Sequence, residues 1–229
     1  LKMALAIGDK SKPQETYCWL GFCELDVQRL FTRIVKKGFI VYDVGSFIGF
    51  HSLLAGRLVG PSGKVFAFEP YLKNIARIKL HVLLNQMQDR VFCIPRAVTD
   101  KHGRAICDYL GQDDVIRFTN IDSEEPRLTS DSLLVETTCL DEFVFQEGHP
   151  APNLIKIDVE GQELKVLLGA KRLLQEFKPT VICELHSAQL ARQVHEELKR
   201  TGYTIKDLKG KEPAILEYSH IVAYPGGQA

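Results

Sequence analysis

Asp43, Gly45, Gly49 and Glu69 have the types and spacing needed to hold a ribose-bearing ligand. Asp43 closes an apolar, β-prone run, Phe39-Ile40-Val41-Tyr42, and the glycines follow in an Asp-x-Gly-x-x-x-Gly corner that leads into a helix-like pattern. A strand ending in a tight turn that opens a helix is where parallel α/β sheets bind nucleotide-like ligands. Glycine permits a backbone angle or a close approach there that a side chain obstructs. Asp43 can accept hydrogen bonds from a cationic or hydroxyl-bearing ligand. Glu69 ends a second apolar run, Lys64-Val65-Phe66-Ala67-Phe68, 20 residues past Gly49, and an acid at that distance is placed for ribose hydroxyls. The glycine spacing departs from the G-x-G-x-x-G of dinucleotide folds, which disfavours a nicotinamide-dependent oxidoreductase.

Further acids and imidazoles stand at the ends of later apolar runs: Asp158 with Glu160, and Glu184 with His186. Carboxylates are seldom buried without partners, so this rim faces water or a ligand. Lys156 shares a strand face with Asp158 and can pair with an acid. Glu163 suits the N-terminus of the helix that follows, where negative charge is stabilising. A divalent metal on Asp158, Glu184 and His186 is chemically possible. Nothing in the spacing demands one, and the reading here is no metal.

Two motifs carry a family resemblance. Asp43-Val44-Gly45-Ser46-Phe47-Ile48-Gly49 with Glu69-Pro70 resembles the cofactor motifs of class I S-adenosylmethionine-dependent methyltransferases. Ile155-Lys156-Ile157-Asp158-Val159-Glu160-Gly161-Gln162-Glu163, followed by Leu167-Leu168-Gly169-Ala170, is similar to the signature of one branch, the FkbM family. The resemblance covers about residues 39–186 and departs at Ser46-Phe47, where the family commonly has Ala-Asn. It implies S-adenosylmethionine as cofactor and S-adenosylhomocysteine as product. The implied contacts are Asp43, Gly45, Ser46, Ile48, Gly49, Glu69, Pro70 and Asp158, with Ala97 and Val98 beside the adenine. It also implies O-methylation of a hydroxyl on a small molecule or sugar.

Such a reaction requires the acceptor to be aligned with the methyl group and a proton to be removed. His186 is the candidate base, because an unshifted imidazole titrates near neutrality. Glu184 can orient it if strand alternation persists to the strand's end, and Asp158 can support the methionine ammonium or orient the acceptor. A cofactor-binding module without catalysis is the alternative from another functional class.

These residues require a particular set of elements to position them. Strands are expected at 39–44, 64–69, 91–98, 153–159 and 179–185, with a terminal antiparallel hairpin at 203–208 and 220–224. Helices are expected at 20–37, 50–59, 71–86, from 161, and at 188–200. That order is a seven-stranded, mostly parallel α/β sheet flanked by helices, the Rossmann-like class I methyltransferase architecture. Pro95 suits an edge strand, since it lacks an amide donor. Residues 99–139 break the rhythm as an insertion, with strands at 104–110, 115–118 and 133–138 and a polar stretch at 119–132 that reads as a loop or substrate-selecting flap. Residues 1–38 form a loose arm and a helix that packs beside the cleft or covers it, and 39–229 form the methyltransferase domain.

Composition narrows the classes further. Basic and acidic residues balance at 29 each, so no basic field argues for nucleic acid. No apolar run reaches the ~20 residues that span a bilayer. The six cysteines show no C-x-x-C pairing or metal-finger spacing, which favours a reducing, cytoplasmic setting. The partner that the resemblance implies is a small-molecule hydroxyl acceptor, with no nucleic acid or membrane, and oligomeric state is not legible.

Overall fold

The computed structural model describes residues 3–5, 16–18, 20–109, 116–120, 132–213 and 218–226. Helix α1 (Leu25–Ile34) leads into β1 (Ile40–Val44), α2 (Phe50–Val59), β2 (Lys64–Phe68), α3 (Leu72–Leu84) and β3 (Val91–Ile94). A run of strands follows: β4 (Ala97–Val98), β5 (Gly103–Tyr109), β6 (Ile116–Asn120) and β7 (Ser132–Thr138). The βα alternation then resumes with α4 (Leu140–Phe145), β8 (Leu154–Ile157), α5 (Glu163–Leu168), α6 (Lys171–Glu176), β9 (Thr180–Leu185) and α7 (Ala188–Arg200). Strands β10 (Tyr203–Asp207) and β11 (Ser219–Pro225) complete the described chain.

Seven strands form the central sheet in the order β10-β11-β9-β8-β1-β2-β3. Strands β1, β2, β3, β8 and β9 run parallel, while β11 lies antiparallel between β9 and β10, as the expected terminal hairpin requires. Alternation divides the apolar side chains between two faces. Tyr42, Phe66, Phe68, Ile155 and Cys183 pack with Phe143 of α4, Leu167 of α5, Leu173 of α6 and Val194 of α7. Val41, Ala67, Leu154, Ile182 and Val222 pack on the other face with Phe31 of α1, Leu53 of α2 and Ile78 of α3. The result is a helix–sheet–helix sandwich of the class I methyltransferase type.

Three expectations change. The single strand read at 91–98 is two, because Pro95 has no amide to continue the ladder. Strand β3 stops at Ile94 on the sheet edge, and Ala97 and Val98 pair with Thr137 and Thr138 in a separate four-stranded sheet, β4-β7-β5-β6. The N-terminal helix proper is shorter than 20–37 and ends at Ile34. The described part of the arm is also tied down: the Ala4 amide donates to Asn85 Oδ1 at 2.9 Å, and Asn85 Nδ2 donates back to the Ala4 carbonyl at 2.7 Å. Strands β5 and β6 form the expected hairpin. Its connecting loop and residues 121–131 of the expected flap lie outside the described residues.

Candidate active site

Beyond the carboxyl ends of the parallel strands lies a cavity of about 410 Å³. One end is built by the corner after β1. The amides of Gly45 and Ser46 both donate to the Phe68 carbonyl at 3.0 Å, which fastens the corner to β2. Gly45 sits at φ 81° and passes so close to β8 that an added Cβ would lie 1.7 Å from the Asp158 carbonyl oxygen. Phe47 takes a left-handed φ of 49°, a conformation in which asparagine is the better-tolerated side chain. Its amide donates to Glu69 Oε2 at 3.0 Å, and the Tyr71 amide donates to Glu69 Oε1 at 2.9 Å. Glu69 therefore clamps the corner to the start of α3.

Two buried acids face this end. Burial raises Glu69 to about 7 against the amide and Asn74 hydrogen bonds that favour its charge. Of its four lone-pair positions, three are taken by Phe47, Tyr71 and Asn74, which leaves one for a ribose hydroxyl. Asp43 is 1% exposed; its Oδ2 takes the Ser52 hydroxyl at 2.5 Å, and its Oδ1 has no hydrogen-bond partner among the described residues. An orphaned carboxylate oxygen at a cavity wall is matched by a cationic or hydroxyl-bearing ligand. These residues fit S-adenosylmethionine, with its ribose diol and ammonium.

Register brings further charged groups against this corner. Asp43 pairs with Lys156 across β1 and β8, and His220 pairs with Glu184 across β11 and β9. Lys156 is buried, with Nζ 2.8 Å from Asp158 Oδ2. Burial alone would strip its proton, but Asp158, Glu24 and Asp43 outweigh burial and hold it well above the usual lysine range. His220 Nε2 lies 3.4 Å from Glu184 Oε2 and 3.5 Å from Glu24 Oε2.

His186 does not line the cavity, whereas Asp158, Glu160 and Glu184 do. Its Nδ1 bonds Glu163 Oε1 at 2.6 Å, and its Nε2 faces Glu160 at 3.4 Å, Asp158 at 3.8 Å and Glu184 at 3.9 Å. The bonded orienting acid is thus Glu163 and not Glu184, because β9 ends at Leu185 and the ring swings toward α5. Glu163 also accepts the Gly161 amide at 3.0 Å, so it keeps its expected place at the head of α5. Desolvation lowers the His186 pKa, but the Glu163 hydrogen bond and surrounding acids override it and raise it to about 9. The ring is therefore cationic at neutral pH.

Asp43, Gly45, Ser46, Ile48, Glu69, Pro70, Ala97, Val98, Asp158 and Glu184 share this one cavity. Gly49 does not line it; at φ 83° it caps α2, and an added Cβ would meet the Ile78 side chain tightly, at 3.0 Å. The sequence reading missed Glu24, His51, Arg96 and the rim aromatics Tyr17 and Phe22, all of which line the cavity. Strand alternation marks His220 as facing the same side as Val222, but nothing local marks Glu24 or His51.

Residues 43–205 match the Methyltransferase FkbM domain. The chain belongs to the FkbM methyltransferase family. It is 30% identical over 168 residues to the hexuronic acid methyltransferase AglP of Haloferax volcanii, an alignment covering 72% of this chain and 63% of that protein. The chain therefore spans less than two thirds of that relative's length. Among solved structures it resembles a precorrin-6Y C5,15-methyltransferase from Geobacter metallireducens, with a TM-score of 0.57 at 12% identity over 97% of this chain and 94% of the other. It also resembles a methyltransferase FkbM from Methylobacillus flagellatus, with a TM-score of 0.54 at 17% identity over 95% and 56%. At these identities the structural matches speak to the fold. Membership of this family implies S-adenosylmethionine as cofactor. No helix among the described residues is long and apolar enough to cross a membrane.

If Glu69 holds the ribose, as the resemblance implies, cofactor binding by this FkbM domain is expected to depend on pH near neutrality. Its folded pKa of about 7 lies above the usual 4.5, so between those values the unliganded fold holds a proton there that the unfolded chain has lost. The sign follows: this group's contribution to stability is greatest below pH 4.5 and is lost as pH rises through 7. With Glu69 at the ribose, binding is expected to run the other way, because the carboxylate accepts a hydroxyl hydrogen better than the protonated acid. Affinity for S-adenosylhomocysteine, measured by titration calorimetry, falls as pH drops from 7.5 to 5.5. Glu69→Gln binds weakly at both ends of that range and loses the pH dependence assigned to residue 69.

Proposed function

We propose that this protein transfers a methyl group from S-adenosylmethionine to a hydroxyl of a sugar, with sugar acids the first class to test. The observation carrying this reading is one cavity that brings Asp43 and Glu69 together with Lys156, Asp158 and Glu184. The hexuronic acid specificity named for the Haloferax relative supports the choice of acceptor. So do the rings of Tyr17 and Phe22 at the cavity rim, 58% and 59% exposed, which offer flat apolar faces to the C–H side of a sugar.

The bound cofactor supplies a methyl group on a sulfonium, a good leaving group. The chain's part is alignment and proton removal. Asp43 and Glu69 hold the ammonium and ribose ends. Asp158 accepts the acceptor's hydroxyl hydrogen and takes its proton as the new O–C bond forms, while Lys156 holds the carboxylate in place. His186, cationic and behind the acids, is a positioning residue. This reading moves the base role from His186 to Asp158.

Asp158→Asn is expected to lower kcat on the accepted sugar about a hundredfold or more. His186→Gln is expected to lower it less and to leave S-adenosylhomocysteine binding nearly unchanged. Unaltered turnover in Asp158→Asn would remove it from the base role. Cofactor binding without methylation of any sugar or sugar acid in a broad hydroxyl panel would favour the non-catalytic module.

A further inference from the structure

At the cavity wall, four side chains from four elements converge: Glu24 ahead of α1, His51 in α2, Glu184 in β9 and His220 in β11. Donor atoms of Glu24, Glu184 and His220 all lie within 4.8 Å of one another. Donors about 2.1 Å from one metal ion stand roughly 3–4 Å apart, and His220 Nε2 lies 3.5 and 3.4 Å from the two carboxylates. His51 is the independent observation. It is 6% exposed, its Nε2 has no hydrogen-bond partner among the described residues, and that atom points at Glu24 Oε2 from 3.9 Å. Glu24 Oε2 and His220 Nε2 face each other at 3.5 Å without a well-aligned hydrogen bond. A buried imidazole nitrogen left unpaired beside this cluster departs from the usual pairing of buried polar groups.

We propose that Glu24, Glu184 and His220 bind one first-row transition-metal dication, with His51 turning in from beside Glu24 as the fourth ligand. Two imidazoles and two carboxylates suit zinc, manganese, iron or cobalt, whereas magnesium and calcium favour oxygen donors. The ion ties the segment ahead of α1 to β11. Glu24, His51 and Glu184 line the cavity, so it stands beside the acceptor. A role in polarising the acceptor hydroxyl rests on the methyl-transfer reading; binding of the ion does not.

The test is titration of the metal-free full chain with Co²⁺, read by its visible absorption, and with Zn²⁺ by calorimetry. One ion per chain is expected. Glu24→Gln and His220→Gln should each weaken Co²⁺ binding by at least about tenfold, the loss seen when even an outer-shell partner is removed. His51→Phe should weaken it too, and an apolar ring has company there in Phe31 and Phe50, 5.6 and 5.3 Å from the imidazole. Thermal melting of each metal-free variant checks its fold, and His51→Phe decides the matter if the charged-site variants fail to fold. His186→Gln should retain binding. Absence of Co²⁺ binding, or binding that survives these variants but vanishes in His186→Gln, overturns the proposal. S-adenosylhomocysteine binding to the same metal-free samples separates the two readings: cofactor binding without metal binding sinks this inference alone, and the reverse sinks the methyltransferase reading alone.

Discussion

Gly45→Ala abolishes S-adenosylhomocysteine binding and lowers fold stability by about 2–5 kcal/mol, the sum of a left-handed alanine and an overpacked contact. The added carbon would meet the Asp158 carbonyl oxygen at 1.7 Å and its carbon at 2.7 Å. Both are backbone atoms at the end of a central strand, so no flexible side chain can yield. The φ of 81° adds strain that relaxing the contact would not remove. Relief requires the corner to withdraw from β8. That movement breaks the amide contacts to Phe68 and shifts Phe47 off Glu69. Urea unfolding reads the stability and calorimetry the binding; an alanine variant that binds within threefold of the parent contradicts the described corner.

Lys156→Met costs about 3–5 kcal/mol, the range for removing one partner of a buried ion pair. The variant leaves Asp158, Asp43 and Glu24 facing one another without the cation that serves all three. Lys156 lowers the pKa of both Asp43 and Glu24, and Asp43 is already raised by burial, so removing the lysine lets these carboxyls hold protons in the fold more readily than in the parent. The variant therefore gains stability relative to the parent as pH falls from about 7 toward 5. Adding Asp158→Asn recovers part of the loss, as expected for residues in contact. A parent-like unfolding midpoint for Lys156→Met at pH 7.5 would show that the lysine does not hold this group together.

The corner from Asp43 to Gly49, and Glu69 beyond it, was legible because it is local. An apolar strand, a turn needing positive φ and a helix succeed one another within a few residues, and each leaves its own pattern. The motif at 155–163 was legible for the same reason, including the Lys156–Asp158 pair two residues apart on one face. Pro95 was weighed as a tolerated edge residue. Its missing amide ends β3 and passes Ala97 and Val98 to another sheet, a choice that depends on β7 being available some forty residues later. Glu184 was a candidate to orient His186 only if strand alternation held to the end, and alternation describes a strand only while it lasts. Past Leu185 the ring follows α5, which the strand pattern does not encode.

The sequence by itself determined which face each rim residue takes, since a period of two puts Asp43, Lys156, Asp158, Glu184 and His220 on the sides they occupy. Tertiary structure decided who meets whom. The order of strands sets Lys156 against Asp43, and the reversed direction of β11 carries His220 to the rim where the parallel strands end. Packing of α1 and α2 on that face brings Glu24 and His51 over it. Register and strand order come from hydrogen-bond ladders and core packing between segments far apart in the chain, and such pairings leave no periodic trace within either segment.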